Sequence, residues 1–240
     1  MPTSSLYSIL YTPLQKILFT NAISDTLSSL AEEMHPSSVH IITDSNVAAG
    51  VLPSLSLPWP VIIIPPGDVN KNLDTLADIW TQLISQGATR HSLVINIGGG
   101  VVTDMGGFAA ATFKRGVRFI NVPTTLLSAV DAAVGGKTGI KFLGFKNEIG
   151  VFRQADAVII STATFASLPR EEMLSGYAEM LKHGMLESPD AYARLLSYDI
   201  TDADLEALLP LLEVAHKRLD LLQLWRDGGQ STCLQGSDRS

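Results

Sequence analysis

Cysteine is nearly absent: Cys233 stands alone in 240 residues and excludes an internal disulfide. A stable core must then come from packing, which suits a reducing compartment, and a cytoplasmic location is expected. Charge is also scarce, at 17% of residues, and the balance is acidic, with a net charge of −7. That balance excludes long-range attraction to nucleic acid or to an anionic membrane surface, so an anionic ligand needs a local cluster of cations. No apolar run approaches the roughly 20 residues that cross a bilayer. The segment Met1–Asn21 mixes Ser, Tyr, Pro, Gln and Lys and lacks the apolar centre of a signal peptide. What is abundant is apolar residue, 46% of the chain, enough for a large buried core.

The apolar residues come in short β-branched runs separated by helical patterns. Val39–Asp44, Val61–Ile64, Leu93–Ile97, Val117–Val122 and Ala157–Ile160 read as strands. Leu73, Leu76, Trp80, Leu83 and Ile84 recur at helical spacing, and Gly87 is placed to end that helix. Gly100–Thr112 is a second helix. Strands that are apolar throughout and alternate with helices imply an α/β fold with a mostly parallel sheet covered on both faces. In such sheets ligands lie at the carboxyl ends of the strands. From about Pro169 only helices are expected: Glu171–Leu186, Asp190–Leu196 and Asp202–Leu224, the last kinked at Pro210. This gives an α/β domain over residues 1–168, a helical part over 169–224, and an irregular tail over 225–240.

Four clusters carry candidate chemistry. Gly98-Gly99-Gly100 follows a strand and opens a helix, with Asp104 one turn on. It reads either as a phosphate-binding turn or as an ordinary strand-to-helix turn with a helix-starting Asp. Pro123-Thr124-Thr125 puts two hydroxyls at a strand end, one more than helix capping needs. Asp131 through Ile140, with Gly135-Gly136-Lys137-Thr138-Gly139, and then Lys146-Asn147, combines backbone space with positive charge as an anion cradle would. It is not a Walker A sequence, because the first glycine of that spacing is missing. Finally, Glu179 and His183 are four apart in a helical segment, share a face, and have a spacing compatible with metal binding or with a surface hydrogen bond.

In their order and spacing, Gly-Gly-Gly-Val-Val-Thr-Asp, Val-Pro-Thr-Thr-Leu-Leu, Val-Gly-Gly-Lys-Thr-Gly-Ile and Lys-Asn-Glu-Ile-Gly resemble 3-dehydroquinate synthase. The resemblance runs from about Asp44 to Leu186. It implies a Rossmann-like NAD domain followed by a helical domain that supplies metal and substrate contacts. The reaction implied converts 3-deoxy-D-arabino-heptulosonate 7-phosphate, a sugar phosphate, to 3-dehydroquinate and phosphate in the shikimate pathway. It uses NAD and a divalent metal, zinc or cobalt, in a protein that is commonly a homodimer. By position, Asp44 and Asn46 approach the adenosine end of NAD, and Asp68 replaces a family Glu in Pro65-Pro66-Gly67-Asp68-Val69-Asn70-Lys71. Gly99, Gly100, Val101, Val102, Thr103 and Asp104, with Lys71, Thr124 and Thr125, match dinucleotide contacts. Thr164, Phe165, Ala166 and Ser167 match a further cofactor turn. Arg115, Asp131, Lys137, Lys146, Asn147 and Lys182 match positions around the reacting substrate, with Lys137 and Lys146 also near NAD. Glu179 matches the first metal ligand, and His183 matches none.

The resemblance fails downstream. The family's two histidine ligands fall in a motif like Asn-x-Gly-His-x-x-Gly-His-Ala, and nothing after His216 resembles it. The expectation is therefore a C-terminally truncated, incomplete helical domain without turnover. Leu221–Ser240 is expected to be non-native sequence from a frameshift or incomplete gene model. The rival readings are another sugar-phosphate cyclase, such as a 2-deoxy-scyllo-inosose synthase, a glycerol-1-phosphate or iron-type alcohol dehydrogenase, and a non-catalytic NAD-binding module.

Overall fold

A computed structural model describes residues 6–11, 15–200 and 204–216, without the side chains of Leu6, Tyr7, Ile9, Leu10, Tyr11 and Asn147. The tail 225–240 and the last part of the expected 202–224 helix lie outside the described residues. The chain runs β1 (Leu6–Tyr11), β2 (Lys16–Thr20), α1 (Ile23–Met34), β3 (Val39–Asp44), α2 (Ser45–Gly50), α3 (Leu52–Leu55) and β4 (Val61–Ile64). It continues with α4 (Leu73–Ser85), β5 (Leu93–Gly98), α5 (Gly100–Thr112), β6 (Arg118–Pro123), β7 (Lys137–Phe142), β8 (Phe145–Phe152) and β9 (Ala157–Ile160). The helices α6 (Arg170–Glu187), α7 (Pro189–Leu196) and α8 (Leu205–His216) complete it. Helix α8 runs through Pro210.

Seven strands form one sheet in the order β1-β2-β9-β6-β5-β3-β4. Every neighbouring pair is parallel except β1 with β2. The five strands expected from the sequence form its centre and one edge. The strands β1 and β2 and helix α1 are additions, and β7–β8 is a separate antiparallel hairpin.

Strand β5 explains the layering. All six of its residues are buried, and its side chains alternate between two apolar clusters. Leu93, Ile95 and Ile97 pack with Leu27, Leu30 and Ile120 beneath α1. Val94 packs on the other face with Met105, Phe119 and Leu76 beneath α4 and α5. Met173, Met180, Leu195 and Leu212 join that same cluster, so the helices after residue 169 share a core with the sheet.

Local chemistry sets the helix starts at the sheet's carboxyl edge. The Asp44 carboxylate accepts from the amides of Asn46 at 2.9 Å and Val47 at 3.1 Å, capping α2. Asn72 caps α4 through the Thr75 amide at 3.0 Å, and Gly87 at φ 76° follows its end.

Candidate active site

The glycine turn lies where β5 hands the chain to α5. Gly99 is the N-cap of α5 and no side chain caps the helix, so its first amides face outward without side-chain acceptors. A Cβ on Gly98 would lie 2.5 Å from the Val102 side chain, and one on Gly99 would lie 3.1 Å from Thr125 Cγ2. The turn can therefore close against the helix and the threonine pair only without side chains. It opens into a cleft of about 710 Å³. Thr124 and Thr125 line one wall, Asp44, Asn46 and Asp68 lie toward β3 and β4, and Thr164 and Ser167 close it from the β9 side. A bare helix N-terminus at the floor of such a cleft fits a pyrophosphate.

A second cavity of about 560 Å³ adjoins the first. It shares Lys71, Asp104 and Asp131 with the cleft and adds Lys137 and Glu148. Between them Lys71 donates to the Asp104 carboxylate. Burial pushes the Asp104 carboxyl above its ordinary value of 3.8; Lys71 opposes that rise and the charge of Asp131 adds to it. On the rim, Asp68 accepts from Lys141 and also pairs with Lys146 at 3.0 Å. The two ammonium groups hold its carboxyl below the ordinary value.

Other expected site residues stand elsewhere. Val102 is buried in the core. Thr103 turns its hydroxyl back to the carbonyls of Gly99 and Gly100 at 3.3 and 3.2 Å. Phe165 is also core, while Gly100 and Val101 line the cleft and Ala166 is exposed on its turn. The side chain of Asn147 lies outside the described residues. Arg115 falls in the turn before β6, and so at the amino end of the sheet, opposite the cleft. There it lines a separate cavity with Arg90, His91 and Lys114. Lys182 lies on α6 and pairs with Glu179, lining neither cavity. Sequence reasoning missed Ser128, Leu168, Pro169 and Glu172, which line the cleft. Their signal was position: each lies within five residues of a matched motif.

Among the described residues the donors needed for a divalent metal do not come together. The Glu179 carboxylate is taken by Lys182 and faces His183 at 3.3 Å. Among the described residues no group of three His, Cys, Asp or Glu side chains could hold an ion. No described helix is long and apolar enough to cross a membrane.

The family model described as 3-dehydroquinate synthase N-terminal matches residues 61–175. A 3-dehydroquinate synthase from Parabacteroides distasonis is 44% identical over 191 residues, covering 78% of this chain and 54% of that protein. The chain spans about half the length of the curated relatives it matches. Among solved structures, a 2-deoxy-scyllo-inosose synthase complexed with carbaglucose-6-phosphate, NAD+ and Co2+ aligns with a TM-score of 0.75 at 20% identity, covering 90% of this chain and 63% of that one. A 2-epi-5-epi-valiolone synthase from Streptomyces hygroscopicus subsp. jinggangensis 5008, with NAD+ and Zn2+ bound, aligns at 0.73 with 24% identity over 95% of this chain and 64% of that one. At such identities the two structures share the fold: a mostly parallel, Rossmann-like α/β sheet with helices.

Proposed function

Since this chain belongs to the 3-dehydroquinate synthase family, we propose that its cleft is the NAD site of that synthase and that the adjoining cavity takes the sugar phosphate. The observation that carries the reading is the uncapped N-terminus of α5 opening into the cleft through Gly99 and Gly100. The overall change we assign is 3-deoxy-D-arabino-heptulosonate 7-phosphate to 3-dehydroquinate and phosphate, with no net oxidation. NAD, when bound, supplies a reversible acceptor for the hydride of a substrate alcohol.

The chain's own residues then divide the work. The α5 amides hold the pyrophosphate, and Asp44 and Asn46 stand toward the adenosine. Asp104 and Thr124 face the reacting end. Lys137 brings a cation to the second cavity, where a phosphate would meet it. With its carboxyl raised by burial, Asp104 is suited to hold or release a proton near the junction of the two cavities. Glu179, paired with Lys182, does not make a metal site with the described residues, and no step is assigned to a metal. That pairing favours a second reading, dinucleotide binding without turnover. A homodimer in the cytoplasm completes the proposal.

Calorimetry with NAD+ tests the site: saturable binding lost in a Gly99→Val variant is expected. Absence of binding by the unaltered chain would remove the reading. Phosphate release from the heptulosonate phosphate, assayed with added Zn2+, separates the two forms of the proposal. Turnover by this chain would refute the binding-only form.

A further inference from the structure

Asn96 and Asn121 are the two polar side chains in the central strands β5 and β6 that face the α5 layer. They are register partners and are 0% and 4% exposed. Burying two amides between Val, Ile and Phe is costly unless their hydrogen bonds are made. Here they form a relay. Asn96 Nδ2 donates to Asn121 Oδ1 at 2.9 Å, and Asn121 Nδ2 donates to the Ala133 carbonyl at 2.9 Å.

The relay has one possible direction. The Ala133 carbonyl can only accept, so Asn121 must turn its NH2 toward it and its oxygen toward Asn96. Asn96 must then donate, which leaves its own oxygen against α5, buried and without a hydrogen-bond partner. That oxygen rests on Gly106, where a Cβ would lie 1.9 Å away.

The far end of the relay is the segment that carries Asp131. Ser128–Ala132 is a turn of π-helix, closed by the Ala133 amide on the Ser128 carbonyl at 2.9 Å. Such wide turns are rare and weak by themselves, and they cluster at functional positions. The Asp131 carbonyl accepts from Val134 at 3.3 Å and Gly135 at 2.9 Å, so a hold on Ala133 fixes the backbone on the carboxyl side of Asp131. Asp131 itself lines both cavities.

We propose that Asn121, oriented by Asn96, is a positioning residue that sets where the Asp131 carboxylate stands between the two cavities. Its importance for ligand binding rests on the proposed function; the placement of Asp131 does not. The charge of Asp131 contributes, after burial, to the raised carboxyl of Asp104, so the Asp104 midpoint reads where Asp131 stands when it is set beside a core truncation remote from both.

The test follows the carboxyl carbon of Asp104 by NMR through a pH titration of the full chain without ligand, assigned with an Asp104→Asn sample. Asn121→Ala is compared with Leu83→Ala, a core truncation in α4 remote from the relay. The expected result is that Asn121→Ala lowers the Asp104 midpoint while Leu83→Ala loses stability without moving it. An unmoved midpoint in Asn121→Ala would overturn the proposal and reduce the pair to core filling. Should Asn121→Ala fail to fold, Asn96→Ser keeps the donor to Ala133 but frees its orientation, and a smaller downward movement is expected; none would again overturn it. Calorimetry with NAD+ on the same samples separates the two claims. A shifted midpoint in a chain that never binds NAD+ removes the proposed function and leaves the positioning intact.

Discussion

Lys71, from the loop after β4, reaches the Asp104 carboxylate on α5 at the junction of two cavities. Their side chains are 14% and 21% exposed, so the pair is shielded more than a surface ion pair. Removing the lysine therefore strands the carboxylate. We expect Lys71→Met, which leaves the buried carboxylate without its cation, to cost about 1–3 kcal/mol in urea unfolding at neutral pH. Asp104→Asn, which resembles the protonated acid the fold favours, should instead unfold at the same or higher urea. The pH dependence has a definite sign. A carboxyl raised in the folded state binds its proton more tightly there than in the unfolded chain. Stability therefore falls as pH rises from 3.8 through the raised folded value. Lys71→Met removes the opposing cation, pushes Asp104 higher and widens that falling window; Asp104→Asn abolishes it. A stability profile unchanged by both substitutions would count against this account.

Gly106 offers a second test, because its α-carbon is the seat of the Asn96 side chain. A methyl group there would lie 1.9 Å from Asn96 Oδ1 and 2.5 Å from its Cγ. Gly106→Ala should destabilise the chain by about 1–3 kcal/mol through overpacking, despite alanine's better helix propensity. The Asn96→Ala, Gly106→Ala pair should lose less than the sum of the single changes, since the first makes room for the second. Additive losses would show that the helix yields elsewhere.

The core of this fold was legible because its strands are rich in β-branched and other apolar residues on both faces. Leu93–Gly98 and Ala157–Ile160 announce a buried parallel sheet, and the glycine turn fixes where its carboxyl edge lies. The hairpin β7–β8 was not legible, because its glycines read as flexibility. In the structure Gly139 and Gly150 instead allow two strands to approach. A Cβ on Gly150 would come within 2.1 Å of the Thr138 carbonyl. Strand β2 and helix α1 were missed although Ile23, Leu27 and Leu30 carry a helical stripe. The segment before them is short and mixed, so no clear strand pattern announces that helix. Arg115 was assigned to the site by likeness alone. A residue that precedes a parallel strand stands at the end away from the ligand, which its place before Arg118 already implied.

The hairpin should also open more readily than the body of the protein. Its ties to the 68–71 loop are the Asp68 pairs with Lys141 and Lys146 and the bond from the Lys141 amide to the Lys71 carbonyl at 2.7 Å. Asp68 is half exposed, so its ion pairs are weakened by salt. Lys141→Ala is expected to speed amide exchange in 137–152 while Tm moves by about 2 °C or less. Salt at about 1 M, where screening acts within about 3 Å, should reproduce the effect in the unaltered chain. Because Asp68 is held below its ordinary value of 3.8, its contribution is present above that value and is lost as pH falls through the lowered one. Exchange that quickens equally across the whole chain would mean the hairpin is no separate unit.

His216 sets two opposed forces against each other at the end of α8. Its Nδ1 faces the Leu212 carbonyl at 2.6 Å and its Nε2 faces the Ala129 carbonyl at 2.8 Å. An imidazolium would donate to both, whereas neutral imidazole can donate to only one. Burial nevertheless dominates and holds the ring below its ordinary value of 6.5, helped by the charge of His183. The edge of Phe19, at 5.7 Å between ring centres, offers no solvation to a charge. The sign then follows: the unfolded chain takes up the proton first. Stability is whole above 6.5 and falls as pH drops below that value, by at most about 1.4 kcal/mol per pH unit. His216→Phe should remove this acid limb while costing about 1–3 kcal/mol at neutral pH, because whichever of the two carbonyls the neutral ring serves loses its donor. Urea unfolding across pH 6.5 decides between the two forces. Stability that increases on acidification would mean that the two carbonyls, rather than burial, govern the ring.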